Sequence, residues 1–204
     1  MADYDVPELK DIPVIPAVQE GTMAKSSPFI AKPEHQEPLG FPGELVENWE
    51  QVALDKLEDL THKYRSLKVY LDSCVKCGAC TDKCHYFLGT ADPKNMPVAR
   101  QDLLRQVYRR YFTFAGKYFP KLVGAVDLTE EIIKDMYSYF HQCSECRRCA
   151  VFCPFGIDTA EVTMAARDML AQIGMGQKYS NQIIPKVHKI GNNLGLPEPA
   201  LIDT

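Results

Sequence analysis

All eight cysteines of this 204-residue chain lie in two short runs, CVKCGACTDKC from Cys74 to Cys84 and CSECRRCAVFCP from Cys143 to Pro154. Both runs carry the spacing C-x2-C-x2-C-x3-C, and the second closes on a proline. No cysteine is left over. The N-terminus, MADYDVPELK, is acidic and polar, and lacks the basic start, apolar stretch and small-residue cleavage site of a secretory signal. The cysteines are therefore expected in a reducing cytoplasm, where clustered thiols bind metal or do chemistry more often than they form disulfides.

The spacing itself points to the metal. Three thiolates on a short loop can cap three iron corners of one cubane 4Fe-4S cluster. The fourth cysteine, placed to start a helix, points away toward a second cube, and in two-cluster ferredoxins it ligates that other cluster. The expected ligands are Cys74, Cys77, Cys80 and Cys153 for one cluster and Cys143, Cys146, Cys149 and Cys84 for the other. Zinc is the rival, since two four-thiolate zinc sites would also use all eight cysteines. Structural zinc sites are built from paired C-x2-C knuckles, however, and need neither the third evenly spaced cysteine nor the cysteine-proline ending. In the first run Cys84 is followed by His85 rather than proline. That ring is either a hydrogen-bonded structural group or a proton partner for the cluster, and His141 stands as a second such histidine. Lys76, Lys83, Arg147 and Arg148 outnumber Asp82 and Glu145 within the runs. A cationic surround raises a cluster's potential, unless these side chains are simply solvated.

A formal charge of -4 and a pI near 5.7 argue against a nucleic-acid binder. No apolar run approaches the roughly 18 residues of a membrane span, so no direct span is expected. Residues 1–42 hold half of the fourteen prolines and no sustained period, which predicts an extended arm. That arm is either a disordered tail or a segment ordered on another subunit through Val14, Ile15, Phe29 and Ile30. From Glu44, an apolar stripe (Leu45, Trp49, Val52, Ala53, Leu57, Leu60, Tyr64) predicts a helix ending near Arg65. Further helices are expected from about Val98 to Phe114 and from about Thr129 to Phe140. A capping box formed by Asp158 and Glu161 opens another, which runs to Gly174. The expected fold is mainly α: an alpha-helical ferredoxin domain with two 4Fe-4S loops over residues 43–195, preceded by the arm. Residues 196–204 are a tail or the start of a further region.

Two such runs separated by a helical insert resemble the iron-sulfur subunits of heterodisulfide reductases and of their succinate and glycolate dehydrogenase relatives. The stretches LDSCVKCGACTDKCHYFLGTADPKNMPVARQDLLRQVYRRYFT and YFHQCSECRRCAVFCPFGIDTAEVTMAARDML are similar, more narrowly, to the heterodisulfide reductase D-like subunits (DsrK type) of membrane complexes in dissimilatory sulfur metabolism. The resemblance implies an electron-transfer subunit, cytoplasmic and peripheral to the inner membrane. Its partners would be a membrane cytochrome b subunit, which gives access to the quinone pool, and the other subunits of a Dsr-type complex. In such proteins two cubanes feed a separate cluster held by CCG motifs, where a disulfide or trisulfide on a DsrC-type protein reacts. These 204 residues contain no CCG motif. The chain is therefore expected to be either the N-terminal part of a longer protein or a stand-alone relay subunit like the C-type partner of heterodisulfide reductase, with no catalytic site of its own.

One segment stands apart. Residues 98–126 carry six cations (Arg100, Arg105, Arg109, Arg110, Lys117, Lys121) against one acid, Asp102, interleaved with aromatics. The pattern is either an ordinary helical core with solvated charges or a face turned toward anionic headgroups and a membrane subunit.

Overall fold

In a computed structural model, the chain is described over residues 45–195 together with residue 199. The expected arm, 1–42, and tail, 196–204, lie outside the described residues, residue 199 excepted. The elements are helical: α1 (Trp49–Lys63), α2 (Arg65–Ser73), α3 (His85–Thr90), α4 (Pro97–Phe112), α5 (Phe114–Tyr118), α6 (Pro120–Val123), α7 (Glu130–His141), α8 (Arg148–Val151), α9 (Thr159–Gln172) and α10 (Lys178–Ile190). Single 3-10 turns at Thr81–Lys83 and Pro93–Asn95 join them, and no strand occurs among the described residues. The expected mainly α class holds.

Helix α9 is the centre of the bundle, packed against α1, α2, α4 and α7. Its inward face is Val162, Ala165, Ala166, Met169 and Leu170, all buried against Leu57 and Leu60 of α1, Leu71 of α2, and Met136 and Phe140 of α7, among others. The small alanines let neighbouring helices approach while methionine and leucine fill the gaps, so one continuous core forms from elements far apart in sequence.

The helix starts follow local chemistry. Thr129 caps α7 by accepting from the Ile132 N–H, with Glu130 and Glu131 in the first turn favoured by the helix dipole. Pro97 opens α4, where a missing N–H costs nothing. Asp158 caps α9 through the Ala160 N–H. The capping box forms only in half: Glu161 accepts instead from the Ser66 hydroxyl and ties α9 to α2.

The helix expected to end near Arg65 instead stops at Lys63, and Tyr64, in an extended conformation, separates it from α2. Leu67 and Leu71, four residues apart, bury the inner face of α2, and its C-cap is Cys74. This second helix, which aims the first cysteine loop, went unread in the sequence, as did α10.

Gly116 fixes the turn from α4 into α5. A Cβ there would stand 1.8 Å from the Arg109 carbonyl oxygen. Gly116→Ala is expected to destabilise the protein by about 1–3 kcal/mol, the usual cost of overpacking, read as a lower urea midpoint.

Candidate iron-sulfur site

The two cysteine loops adopt the same backbone. Lys76 and Gly78 in the first, and Glu145 and Arg147 in the second, stand at matching positions and all have positive φ, between 56 and 80°. Only one of the four is glycine. Three side-chain-bearing residues held in the left-handed region carry a local cost of order 1 kcal/mol or more each, a kind of strain that concentrates at functional sites. Thiol exposure repeats as well. Cys77 and Cys146, the second cysteine of each loop, are exposed, and Cys74, Cys80, Cys143 and Cys149 are half-buried.

The fourth cysteines differ in detail. Cys84 is buried and sits at the N-cap of α3 as expected. Cys153 does not start a helix: a turn closed by the Gly156 N–H on the Cys153 carbonyl intervenes before α9. Pro154 follows Cys153 directly, and the positive φ of Gly156 completes the turn.

Cys74, Cys77, Cys80 and Cys153 line one pocket, partly open to solvent, with Cys149 also on its wall. Val98, Ile157 and Phe155 supply apolar surface. At the second loop the His85 ring, adjacent to Cys84, lies with Nδ1 3.9 Å from the Cys146 sulfur and Nε2 3.4 Å from the Ser144 hydroxyl. The ammonium of Lys83, just before Cys84, rests 4.9 Å from the ring centre of Phe152, just before Cys153. The tail of each run thus lies beside the other.

The thiols of Cys74, Cys77, Cys80 and Cys153 surround a pocket rather than a point, and among the described residues no three His, Cys, Asp or Glu side chains are placed to hold a single metal ion. A cubane, which offers a separate iron at each corner, suits such an arrangement. Burial pushes the Cys80 thiol up to about 11, the nearby Cys149 thiol adding to it, and burial likewise raises Cys149. Thiols this reluctant to ionise become good ligands only when a metal ion stabilises the thiolate.

Two arginines, unread as site residues in the sequence, anchor the loops. Arg105 of α4, fully buried, donates from Nη1 to the Cys74 carbonyl at 2.7 Å and from Nη2 and Nε to Asp102 at 2.6 and 3.0 Å. The other Asp102 oxygen accepts from Lys76, inside the loop, at 2.7 Å. Burial alone would raise the Asp102 carboxyl, but the bonds and charges of Lys76 and Arg105 outweigh it and hold it below the usual range. On α9, Arg167 donates to the Cys143 and Phe140 carbonyls and to Glu145. Each loop therefore has the carbonyl of its first cysteine held by an arginine that also grips a carboxylate.

The second loop has a further support. Buried Asn95 donates to Gln142, next to Cys143, while Arg100 donates to the Asn95 carbonyl and side-chain oxygens. His141 is held neutral, its pKa lowered to about 4 by burial and by Arg167.

The expected cationic surround is largely neutralised. Lys76 pairs with Asp102, Lys83 with Asp82, and Arg147 with Asp158. Counting charges within the runs missed Asp102 and Asp158, which lie outside them. The cationic face expected at residues 98–126 is narrowed: Arg100 and Arg105 are buried and face inward, Arg109 donates to the Val123 carbonyl, and Arg110 pairs with Asp127, which leaves Lys117 and Lys121 exposed.

Residues 70–157 match the 4Fe-4S dicluster domain family. The chain is 53% identical over 152 residues to the Hdr-like menaquinol oxidoreductase iron-sulfur subunit 2 of Archaeoglobus fulgidus, and equally to the Hdr-like menaquinol oxidoreductase iron-sulfur subunit of Archaeoglobus profundus. These alignments take in 74% of this chain and 27% of either relative, so the chain spans about a quarter of the length of the curated relatives it matches. More distant is the D-type polypeptide of the dihydromethanophenazine:CoB--CoM heterodisulfide reductase of Methanosarcina barkeri, 28% identical over 117 residues, covering 57% of this chain and 28% of that polypeptide. No solved structure matches. The paired cysteine loops thus lie within a stretch that matches the 4Fe-4S dicluster domain, in a chain similar over 152 residues to heterodisulfide reductase-like iron-sulfur subunits.

Proposed function

We propose that the chain binds two 4Fe-4S clusters with exchanged fourth ligands, Cys74, Cys77, Cys80 and Cys153 holding one and Cys143, Cys146, Cys149 and Cys84 the other. The observation that carries this reading is the cavity shared by Cys153 and the three cysteines of the first loop. The position of His85, beside Cys84 and against Cys146, supports the converse exchange. When bound, the clusters supply one-electron transfer without bond making. The protein's own residues hold the loops in their strained turns, keep Cys84 dry and leave Cys77 and Cys146 toward the surface.

In this reading the chain relays electrons between a membrane cytochrome b subunit, fed by the quinone pool, and a thiol-disulfide site of DsrC type in a multi-subunit complex at the inner membrane. The support is the naming of its relatives as menaquinol oxidoreductase and heterodisulfide reductase subunits. No helix among the described residues is long and apolar enough to cross a membrane, so on this reading partner subunits supply the spans. All eight cysteines are assigned to clusters, which leaves none in these 204 residues for disulfide exchange. The chain, purified anaerobically with its clusters, is expected to accept electrons from dithionite, bleaching its visible absorption, and to leave a protein disulfide or trisulfide unreduced. Turnover of such a substrate by the homogeneous chain would overturn the relay reading, as would failure to take up electrons.

A further inference from the structure

Between Leu103 and Val126 the chain has no aspartate or glutamate, although its net charge is -4. Within this stretch, α5 and α6 form a small knob packed on α4, and its largest apolar side chains face solvent. Phe114 is 76% exposed, Tyr118 65%, Phe119 57% and Leu122 83%. Lys117 and Lys121 are exposed among them and pair with no acid among the described residues.

The knob is not a loose loop. Gly116 is buried against the Arg109 carbonyl, Arg109 donates to the Val123 carbonyl at 3.1 Å, and the Val126 N–H donates to Gln106 at 3.3 Å. Thr113 caps α5 through the Gly116 N–H. A close glycine contact and several hydrogen bonds thus hold four large apolar groups outward, where each loses the stabilisation that burial would give.

We propose that this knob is a membrane-contact tip, which seats Phe114, Tyr118, Phe119 and Leu122 in the interfacial layer of an anionic bilayer while Lys117 and Lys121 meet lipid phosphates. The occupant is argued from charge and composition. Aromatic and leucine side chains beside unpaired lysines are the makeup of interfacial anchors, and an anionic lipid surface complements a segment devoid of acids. The contact is the chain's own and independent of any cytochrome subunit, so its test does not depend on the relay reading.

The test is co-sedimentation of the iron-loaded 204-residue chain with vesicles of phosphatidylcholine alone or of equal parts phosphatidylcholine and phosphatidylglycerol. The chain should partition onto the anionic vesicles and not the neutral ones, and less as salt rises and screens the lysines. One cation near such a surface is worth about fivefold in partition, so Lys117→Glu with Lys121→Glu should weaken binding at least about tenfold. Phe119→Ser with Leu122→Ser should do the same, with visible absorption showing both clusters retained in each variant. Absence of binding to anionic vesicles, equal binding to neutral ones, or full binding by either variant would each overturn the proposal. So would variants that bind vesicles normally yet fail to assemble with a membrane subunit, which would make the knob a protein interface.

Discussion

Arg105→Met is expected to release the cluster of the first loop while leaving the second in place, so that the purified variant holds roughly half the iron of the parent. The substitution preserves volume and apolar packing but removes the donors on the Cys74 carbonyl and on Asp102. Breaking a fully buried pair by deleting one partner typically costs about 3–5 kcal/mol; Asp102 is partly buried and keeps Lys76, so the cost here is expected toward the lower end. That is a large share of the 5–15 kcal/mol that holds a domain folded. Lys76, half exposed, bonds the other Asp102 oxygen and does not replace the two donors that Arg105 places on Oδ1. Arg105→Lys should fall between, since a lysine keeps the charge and lacks the planar fork. The mirror experiment, Arg167→Met, should lose the second cluster and spare the first. Iron content with paramagnetic resonance of the reduced proteins separates these outcomes, and equal loss of both clusters from either variant would mean that the arginines act on the whole bundle rather than on one loop.

The second large effect concerns the fourth cysteines. Cys153→Ser is expected to alter the same resonance signal as Cys77→Ser, although Cys153 is nearer in sequence to Cys146. Cys84→Ser should in turn match Cys146→Ser. The shared wall of Cys74, Cys77, Cys80 and Cys153 motivates the first half, and His85 against Cys146 the second. If Cys153→Ser instead matched Cys146→Ser, each run would hold its own cluster and the exchange would be wrong.

What could be read from the sequence follows the kind of signal each feature leaves. The cysteine spacing is local and was legible, as were α4, α7 and α9, whose apolar stripes repeat at helical period. Helix α2 was hidden because only Leu67 and Leu71 of its nine residues are buried, too short a stripe to register. The arginines were misread for a related reason. In RQDLLRQVYRRYF a cation looks like a solvated flank, yet Gln101, Arg105 and Tyr108 lie on the same face as Leu104, and all four are buried. A cation inside the inward stripe was the available sign that a buried partner must exist; helical spacing offers Asp102, three residues earlier, but does not name the Cys74 carbonyl. Asp102 is an i,i+3 neighbour on α4 itself, whereas the Cys74 carbonyl comes to Arg105 only through the packing of α4 against α2. The positive φ of Lys76, Glu145 and Arg147 left no trace at all, since none of them is glycine.

The most direct test of the central claim is metal and acid-labile sulfide analysis of the anaerobically purified chain, joined to paramagnetic resonance after reduction. Two clusters held by eight cysteines predict about eight irons and about eight sulfides per chain, a brown protein, and the broadened signal of two reduced cubanes close enough to interact. A colourless protein containing zinc, or one holding only about four irons after full reconstitution, would contradict it.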